Sequence, residues 1–314
     1  SSCQSGTMHV AVVMPARNEE ELIASSINSV PDIVDCLIVV DDSSVDSTAK
    51  IAKNTLEKLS SSRSLVTKLI SGNGEGVGSA ILFGISELAE IVENHDDWAV
   101  VIMAGDGQMD PNDLEKLVSA LEYSDHVKGN RFRHYLGTKN MPFIRRIASK
   151  IIGFLTSLAT GWNWGDPQCG YTATRLSLIL RHPRLYEWKG YGYPNWWALC
   201  FSGTSESVKE VPVKSVYGSE KSGIRILSFL PKVSTMLFLG IWGRGWSWYI
   251  LGKGKRRARV LVRLIVSIFW FISWFMLLFS LTDFRLFVIP LLLFTILRFI
   301  DKKEQKARSI FNRV

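Results

Sequence analysis

The chain has 314 residues, 47% of them hydrophobic, with 37 Lys and Arg against 29 Asp and Glu, a formal charge of +8 at pH 7. That length holds one large or two ordinary domains, and the scattered Cys3, Cys36, Cys169 and Cys200 exclude a disulfide framework or a metal knuckle. The positive excess gathers around apolar blocks near the C-terminus, so nucleic acid is not needed to account for it.

"SSCQSGT" reads as a leader over residues 1–7, with Met8 as the native start and no signal peptide. "HVAVVMP" is a short buried strand broken at Pro15, and "ARNEEELIASSINSV" has helical apolar spacing. "CLIVVDDSSVDSTAKIAK" repeats the scheme as strand, acidic loop and helix, the helix capped by Asp46 or Ser47. "LVTKLI" is a third strand, followed by a glycine-rich loop that opens a helix, "SGNGEGVGSAILFGISELAEIV". "WAVVIMA" is a fourth, leading into "GDGQMDP" and a helix with Pro111 at its start. Strands alternating with helices predict a parallel α/β sheet with ligands at the carboxyl ends of its strands. Beyond Asn130, "MPFIRRIASKIIGFLTSLATG" predicts one or two amphipathic helices. "DPQCGYTATRLSLIL" predicts a loop, short strand and helix, and "SVKEVPVKSVYG" a late strand.

After Leu227 the chain turns apolar and aromatic. Residues 227–255, with Trp242, Trp246, Trp248 and Tyr249, read as interfacial amphipathic helices. Leu264–Leu281 is an eighteen-residue run without a charge, and Leu286–Ile300 is a second apolar block carrying Arg298. Lys253, Lys255, Arg256, Arg257, Arg259 and Arg263 precede the first block, and Lys302, Lys303, Lys306 and Arg308 follow the second. The positive-inside rule makes residues 256–314 a transmembrane hairpin with both flanks cytoplasmic. Residues 8–226 form a catalytic domain on that face.

Three stretches point to chemistry. "GNGEGVG" is no clean dinucleotide fingerprint and no P-loop; it is a tight turn, or a loop in which Gly76 lines a nucleotide site. In "VVDDSSVDST" capping explains Asp46 and Ser47 but leaves Asp41 and Asp42, two adjacent carboxylates that need a partner. In "VVIMAGDGQMDP" Ala104 stands where an acidic metal loop carries its first carboxylate, and Asp106 stands at the second. Asp106 is then a ligand in a damaged site, a ligand in a variant site, or a plain turn residue.

"MPARNEE", "VVDDSSVDST", "AGDGQMDP", "KGNRF" and "DPQCGYTATR", in this order before a terminal membrane hairpin, resemble the family 2 glycosyltransferases of the GT-A fold. Among these they are similar to the polyprenyl-phosphate sugar synthases, the dolichyl-phosphate mannose synthases and their bacterial glucosyl relatives. The resemblance implies that Pro15, Ala16, Arg17, Glu19, Val40, Asp42 and Asp106 hold the nucleotide. It implies that Asp106 and Gln108 bind Mg²⁺ or Mn²⁺, with the donor diphosphate completing the shell. Arg131 and Arg145, or the adjacent Arg146, together with Ser149, match the acceptor-phosphate positions, where arginine suits bidentate contact; the plainer alternative is a surface ion pair. Asp166 and Gln168 match positions for sugar hydroxyls or for a base. Lys221 and Ser222, in a segment resembling one that closes over the donor, match donors to the diphosphate; the alternative is a linker. Trp196 and Trp197 read as core or interface packing before sugar stacking.

The implied reaction is inverting, metal-dependent transfer of one sugar from a nucleotide diphosphate sugar to a polyprenyl phosphate. The enzyme would be an integral membrane protein, and a homo-oligomer is compatible with the sequence. The alternatives are a family 2 transferase acting on another lipid and a membrane-tethered nucleotide-sugar binding protein without catalysis.

Overall fold

The apolar runs at the start of the chain become the centre of a sheet. The computed structural model describes residues 8–139, 141–202, 206–216, 226–251 and 260–308. β1 (His9–Ala16) and β2 (Cys36–Asp41) are buried along almost their whole length, as strands covered on both faces must be. β3 (Val66–Ser71), β4 (Trp98–Ile102), β5 (His126–Asn130), β6 (Thr172–Arg175) and β7 (Val208–Pro212) complete a seven-stranded sheet in the order β3-β2-β1-β4-β6-β5-β7. Six strands run parallel. β6 is antiparallel to both neighbours, with Thr172 opposite Ile102 of β4 and Lys128 of β5. The parallel sheet expected from the alternation is therefore mixed at this one place.

α1 (Ile23–Asn28), α2 (Thr48–Ser62), α3 (Val77–Ile91), α4 (Leu114–Ser119), α5 (Phe143–Thr160), α6 (Leu176–Leu180) and α7 (Tyr193–Ser202) accompany the strands. α1 starts later than its apolar spacing suggests. Side chains of the next loop take the amides that would open it: Ser44 accepts from Asn18 N (2.9 Å) and Thr48 from Glu19 N (2.7 Å). "PNDLEKLVSALEY" breaks into α4 flanked by two 3₁₀ turns. The amphipathic stretch after Pro142 is one helix, α5, of 18 residues. Asp46, not Ser47, does the work at the start of α2, accepting from Thr48 N at 2.9 Å.

The chain divides into two compact units. One takes the described residues of Ser1–Gly153 and Gly165–Val233, and the other those of Phe154–Trp164 and Ser234–Ile310. α8 (Ile226–Gly245), which belongs to the second unit from Ser234 onward, runs into a π-helical turn, Trp246–Ile250, before α9 (Val260–Phe279) and α10 (Val288–Arg308). α9 and α10 pack on each other through Val266, Trp270, Trp274, Phe294 and Leu297. Asp301 accepts from Arg244 Nη1 (2.7 Å) and Nη2 (2.9 Å) and from the Tyr249 hydroxyl (2.7 Å), an ion pair among apolar neighbours. Among the described residues α9 alone is long and apolar enough to cross a membrane, and it is 11% buried. α10 is as long but carries Arg298, Asp301, Lys302 and Lys303.

α3 lies so close to the sheet that a Cβ at Gly84 would stand 2.6 Å from Val13 Cγ1 and 2.9 Å from Val40 Cγ2. Gly84→Val is expected to lower stability by about 1–3 kcal/mol through overpacking, read as a fall in the urea midpoint at unchanged slope. A midpoint equal to that of the wild type would show that this helix-to-sheet distance is not fixed.

Candidate active site

The ends of β1, β2 and β4 converge because the sheet is parallel here. Asp42 N donates to Ala16 O (2.9 Å) and Gly105 N to Pro15 O (3.0 Å), so the three strand-end loops are stitched side by side. Pro15, Ala16, Val40, Asp42 and Asp106 thus share one edge of the sheet.

Asp42 is buried, and both its oxygens are engaged. Oδ1 accepts from Gly74 N (2.8 Å) and Oδ2 from Gly76 N (3.1 Å), with Arg17 Nη1 3.7 Å from Oδ2. The glycine loop is therefore held by the carboxylate that directly follows β2. Gly76 has φ +115°, and a Cβ there would sit 3.1 Å from Lys189 O, so glycine is required on both counts. Asp41 accepts from Ser44 N at 3.4 Å through Oδ2, while its buried Oδ1 has no partner.

A segment that sequence reasoning passed over covers this loop. Ser79 N donates to Lys189 O (2.9 Å), and Lys189 Nζ pairs with Glu75 (2.6 Å). Trp188 stacks on Trp196 and donates from Nε1 to Tyr191 O (2.8 Å). Burial raises the Tyr191 phenol above its ordinary value; the charges of Asp106, Glu19 and Asp42 raise it further and Arg17 opposes them. One half-exposed phenol therefore senses four predicted site residues at once. The signal in the sequence was only the glycine pair of "KGYGYP". Trp197 is core, 2% exposed.

Asp106 sits in a tight turn, Oδ1 accepting from Gln108 N at 3.0 Å across Gly107, whose φ is +69°. Val216 N donates to Gln108 O (3.0 Å), tying this turn to the segment that follows β7. Among the described residues no three His, Cys, Asp or Glu side chains cluster as a metal set. One carboxylate and one amide oxygen fit a hard cation that draws most of its shell from phosphate and water; they do not fit a closed protein cage. Lys221 and Ser222 lie outside the described residues.

On the other flank Arg131 and Asp166 form a buried pair. Arg131 donates from N (3.1 Å) and Nε (2.6 Å) to Asp166 Oδ2 and from Nη2 (2.9 Å) to Oδ1. Asp166 is 1% exposed. Arg145, Arg146 and Ser149 lie on the first turns of α5, with Ser149 buried and Arg146 Nη2 donating to Thr138 O. The structure places Pro15, Ala16, Val40, Asp42 and Asp106 together, and it joins Arg131 to Asp166, for which the resemblance implied separate tasks.

Removing Asp42 should free the glycine loop: Asp42→Ala is expected to speed hydrogen exchange at the Gly74 and Gly76 amides at least tenfold, and unchanged protection would mean that the loop is held otherwise. Arg131→Ala leaves a buried carboxylate unpaired and should cost about 3–5 kcal/mol, whereas Arg131→Met with Asp166→Leu should recover much of that loss. Equal losses in the single and double variants, read by chemical denaturation, would contradict the pairing.

Residues 11–181 match the profile described as Glycosyl transferase family 2. A UDP-N-acetylglucosamine--dolichyl-phosphate N-acetylglucosaminyltransferase of Methanococcus voltae is 27% identical over 220 residues, 66% of this chain and 86% of that protein. A dolichol-phosphate mannosyltransferase of Pyrococcus furiosus is 28% identical over 213 residues, 65% of this chain and 56% of that protein. Glucosyl-3-phosphoglycerate synthase of Mycobacterium tuberculosis, solved with Mn²⁺, uridine diphosphate and glucosyl-3-phosphoglycerate, superposes with a TM-score of 0.53 at 20% identity, covering 76% of this chain and 80% of that one. This last likeness is one of fold, an α/β sheet of the GT-A kind. A profile match over more than half of the chain, on a sheet whose strand ends carry these motifs, makes the chain a member of glycosyl transferase family 2, a glycosyltransferase.

Proposed function

We propose that the chain transfers one sugar, with inversion, from a nucleotide diphosphate sugar of the GDP-mannose or UDP-glucose type to a polyprenyl phosphate, dolichyl or undecaprenyl, at the cytoplasmic face of a membrane. Relatives named for transfer to dolichyl and undecaprenyl phosphate support the acceptor class. The observation that carries the reading is the state of Asp166. A hydroxyl acceptor needs a base, and among the described residues the carboxylates on that flank are committed: Asp166 has both oxygens on Arg131 at 1% exposure, and Glu210 accepts from Gly165 N, Asp166 N and Asn130 Nδ2. A phosphate monoester, with its second pKa of about 6, arrives already ionised.

In that reaction an acceptor oxyanion forms a bond to the anomeric carbon from the face opposite the donor. The bond from that carbon to the donor phosphate oxygen breaks, and the nucleoside diphosphate leaves with the electron pair; no proton needs to move. Arg145, Arg146 and Ser149 bind and orient the acceptor phosphate, and Arg131, held by Asp166, lines the same flank. Pro15, Ala16, Arg17, Glu19, Val40, Asp42 and Gly76 hold the nucleotide. Asp106 and Gln108 would hold Mg²⁺ or Mn²⁺, which when bound neutralises charge on the leaving diphosphate.

The helices support a membrane setting. From Asp125 to Asp166 the chain has no acidic residue between. On α5, Phe143, Ile144, Ile147 and Ile151 are exposed along one face beside Arg145, Arg146 and Lys150, the make-up of an interfacial helix. α9 is the spanning candidate, and we take α10 as its partner in a hairpin, with the basic residues at Lys302 and Lys303 on the cytoplasmic side. Residues 227–255 then lie at the interface.

Purified full-length protein, given labelled nucleotide sugars, divalent metal and each polyprenyl phosphate, is expected to form a lipid-extractable labelled product. Asp106→Ala should lower kcat about 100-fold or more, and Arg145→Ala should raise the acceptor KM about tenfold, the equivalent of one charged hydrogen bond. Nucleotide binding without turnover on any common donor would instead indicate a tethered binding protein and sink the transferase reading.

A further inference from the structure

β5 turns His126, Lys128 and Asn130 to one face of the sheet, and all three are buried. A lysine 1% exposed in the middle of a sheet is costly unless its ammonium is partnered. Lys128 Nζ donates to Cys169 O. Its cross-strand neighbour in β7, Glu210, accepts from Gly165 N (3.0 Å), Asp166 N (2.9 Å) and Asn130 Nδ2 (3.1 Å). The loop from Gly165 to Cys169 is thus gripped at its start by Glu210, at its end by Lys128, and between them by Arg131 on Asp166. Two cations and two carboxylates, Lys128 and Arg131 with Asp166 and Glu210, balance in one buried network while the lysine is protonated.

We infer that Lys128 and Glu210 are positioning residues of the transfer reaction, clamping the Gly165–Cys169 loop so that the Asp166–Arg131 pair holds the acceptor flank in register. This rests on the acceptor reading above. A guanidinium aimed at a phosphate must be placed within about 0.5 Å to be useful, and Arg131 takes its direction from Asp166, whose own backbone amide is fixed by Glu210. Lys128 does the same at the far end of the loop, where the chain enters β6.

The groups facing the ammonium are His126 on its own strand, Arg131 just past that strand, Asp166 and Cys169 on the loop, and Glu210 on β7. Burial is the largest influence and pushes Lys128 down to about 8; Cys169, Asp166 and Glu210 pull it up, and Arg131 pushes it down again. Burial and Lys128 together push His126 down to about 3, so it is neutral throughout the working range. A neutral amine can still donate to Cys169 O, so the clamp rests on its hydrogen bonds at both ends of the loop and not on the lysine's charge.

The test compares full-length wild type, Lys128→Met, Lys128→Arg and Glu210→Gln with polyprenyl phosphate and the productive donor. Lys128→Met and Glu210→Gln are expected to raise the acceptor KM roughly tenfold with the donor KM within about twofold. Lys128→Arg, which keeps a donor for Cys169 O, should restore the acceptor KM to within about twofold of the wild type. Equal rises in both KM values, or no rescue by Lys128→Arg, would overturn the proposal. If Lys128→Met fails to fold, Lys128→Arg and Glu210→Gln decide it by the same criteria. Hydrogen exchange of the Gly165, Asp166 and Cys169 amides gives a readout without turnover: faster exchange in the variants supports the clamp and unchanged exchange refutes it, even if the wild type proves inactive and the acceptor reading falls.

Discussion

The reversed direction of β6 is the constraint on which the site depends. In a wholly parallel sheet the loop before each strand lies at the edge away from the ligands. Because β6 runs against β4 and β5, the loop that precedes it arrives at the same edge as the carboxyl ends of those strands. That places Asp166 against Arg131, just past β5, on the same edge of the sheet as the turn of Asp106 after β4. One antiparallel strand thus brings a loop from late in the chain to residues supplied by its first half.

The edge so formed keeps its carboxylates in two different ways. Asp42 is stabilised by neutral donors, two backbone amides of a glycine loop, with Arg17 at a looser distance. Asp166 is stabilised by a full opposite charge and one further amide. The first arrangement holds the glycine loop through its backbone, without a side chain of the loop taking part. The second fixes direction at the expense of desolvating two ions, a trade that favours specificity over stability.

Much of this was legible in the sequence. The buried strands were written as unbroken apolar runs, and the acidic and glycine-rich segments fell at their ends, so the class of fold followed from order and spacing, while the roles of single residues came only from the resemblance. The late start of α1 was not legible, because its competitors are side chains from a loop more than twenty residues away. Nor was the joining of Arg131 to Asp166, which depends on the direction of a four-residue strand that no periodicity reports. Tyr191 escaped for a similar reason: its place over the glycine loop comes from contacts of Lys189 with Ser79 and Glu75. Lys128 gave the opposite signal, since a charged residue inside "HVKGN" looks like solvent exposure and is in fact 1% exposed.

The Arg131–Asp166 pair also bears on how such a chain can change over time. Replacing either partner alone by a neutral residue leaves the other ion buried without its counter-charge. Descent from this sequence therefore has only two easy courses at these positions: to keep both residues, or to exchange both together. Drift elsewhere on the surface proceeds one residue at a time, but here the unit of inheritance is the couple.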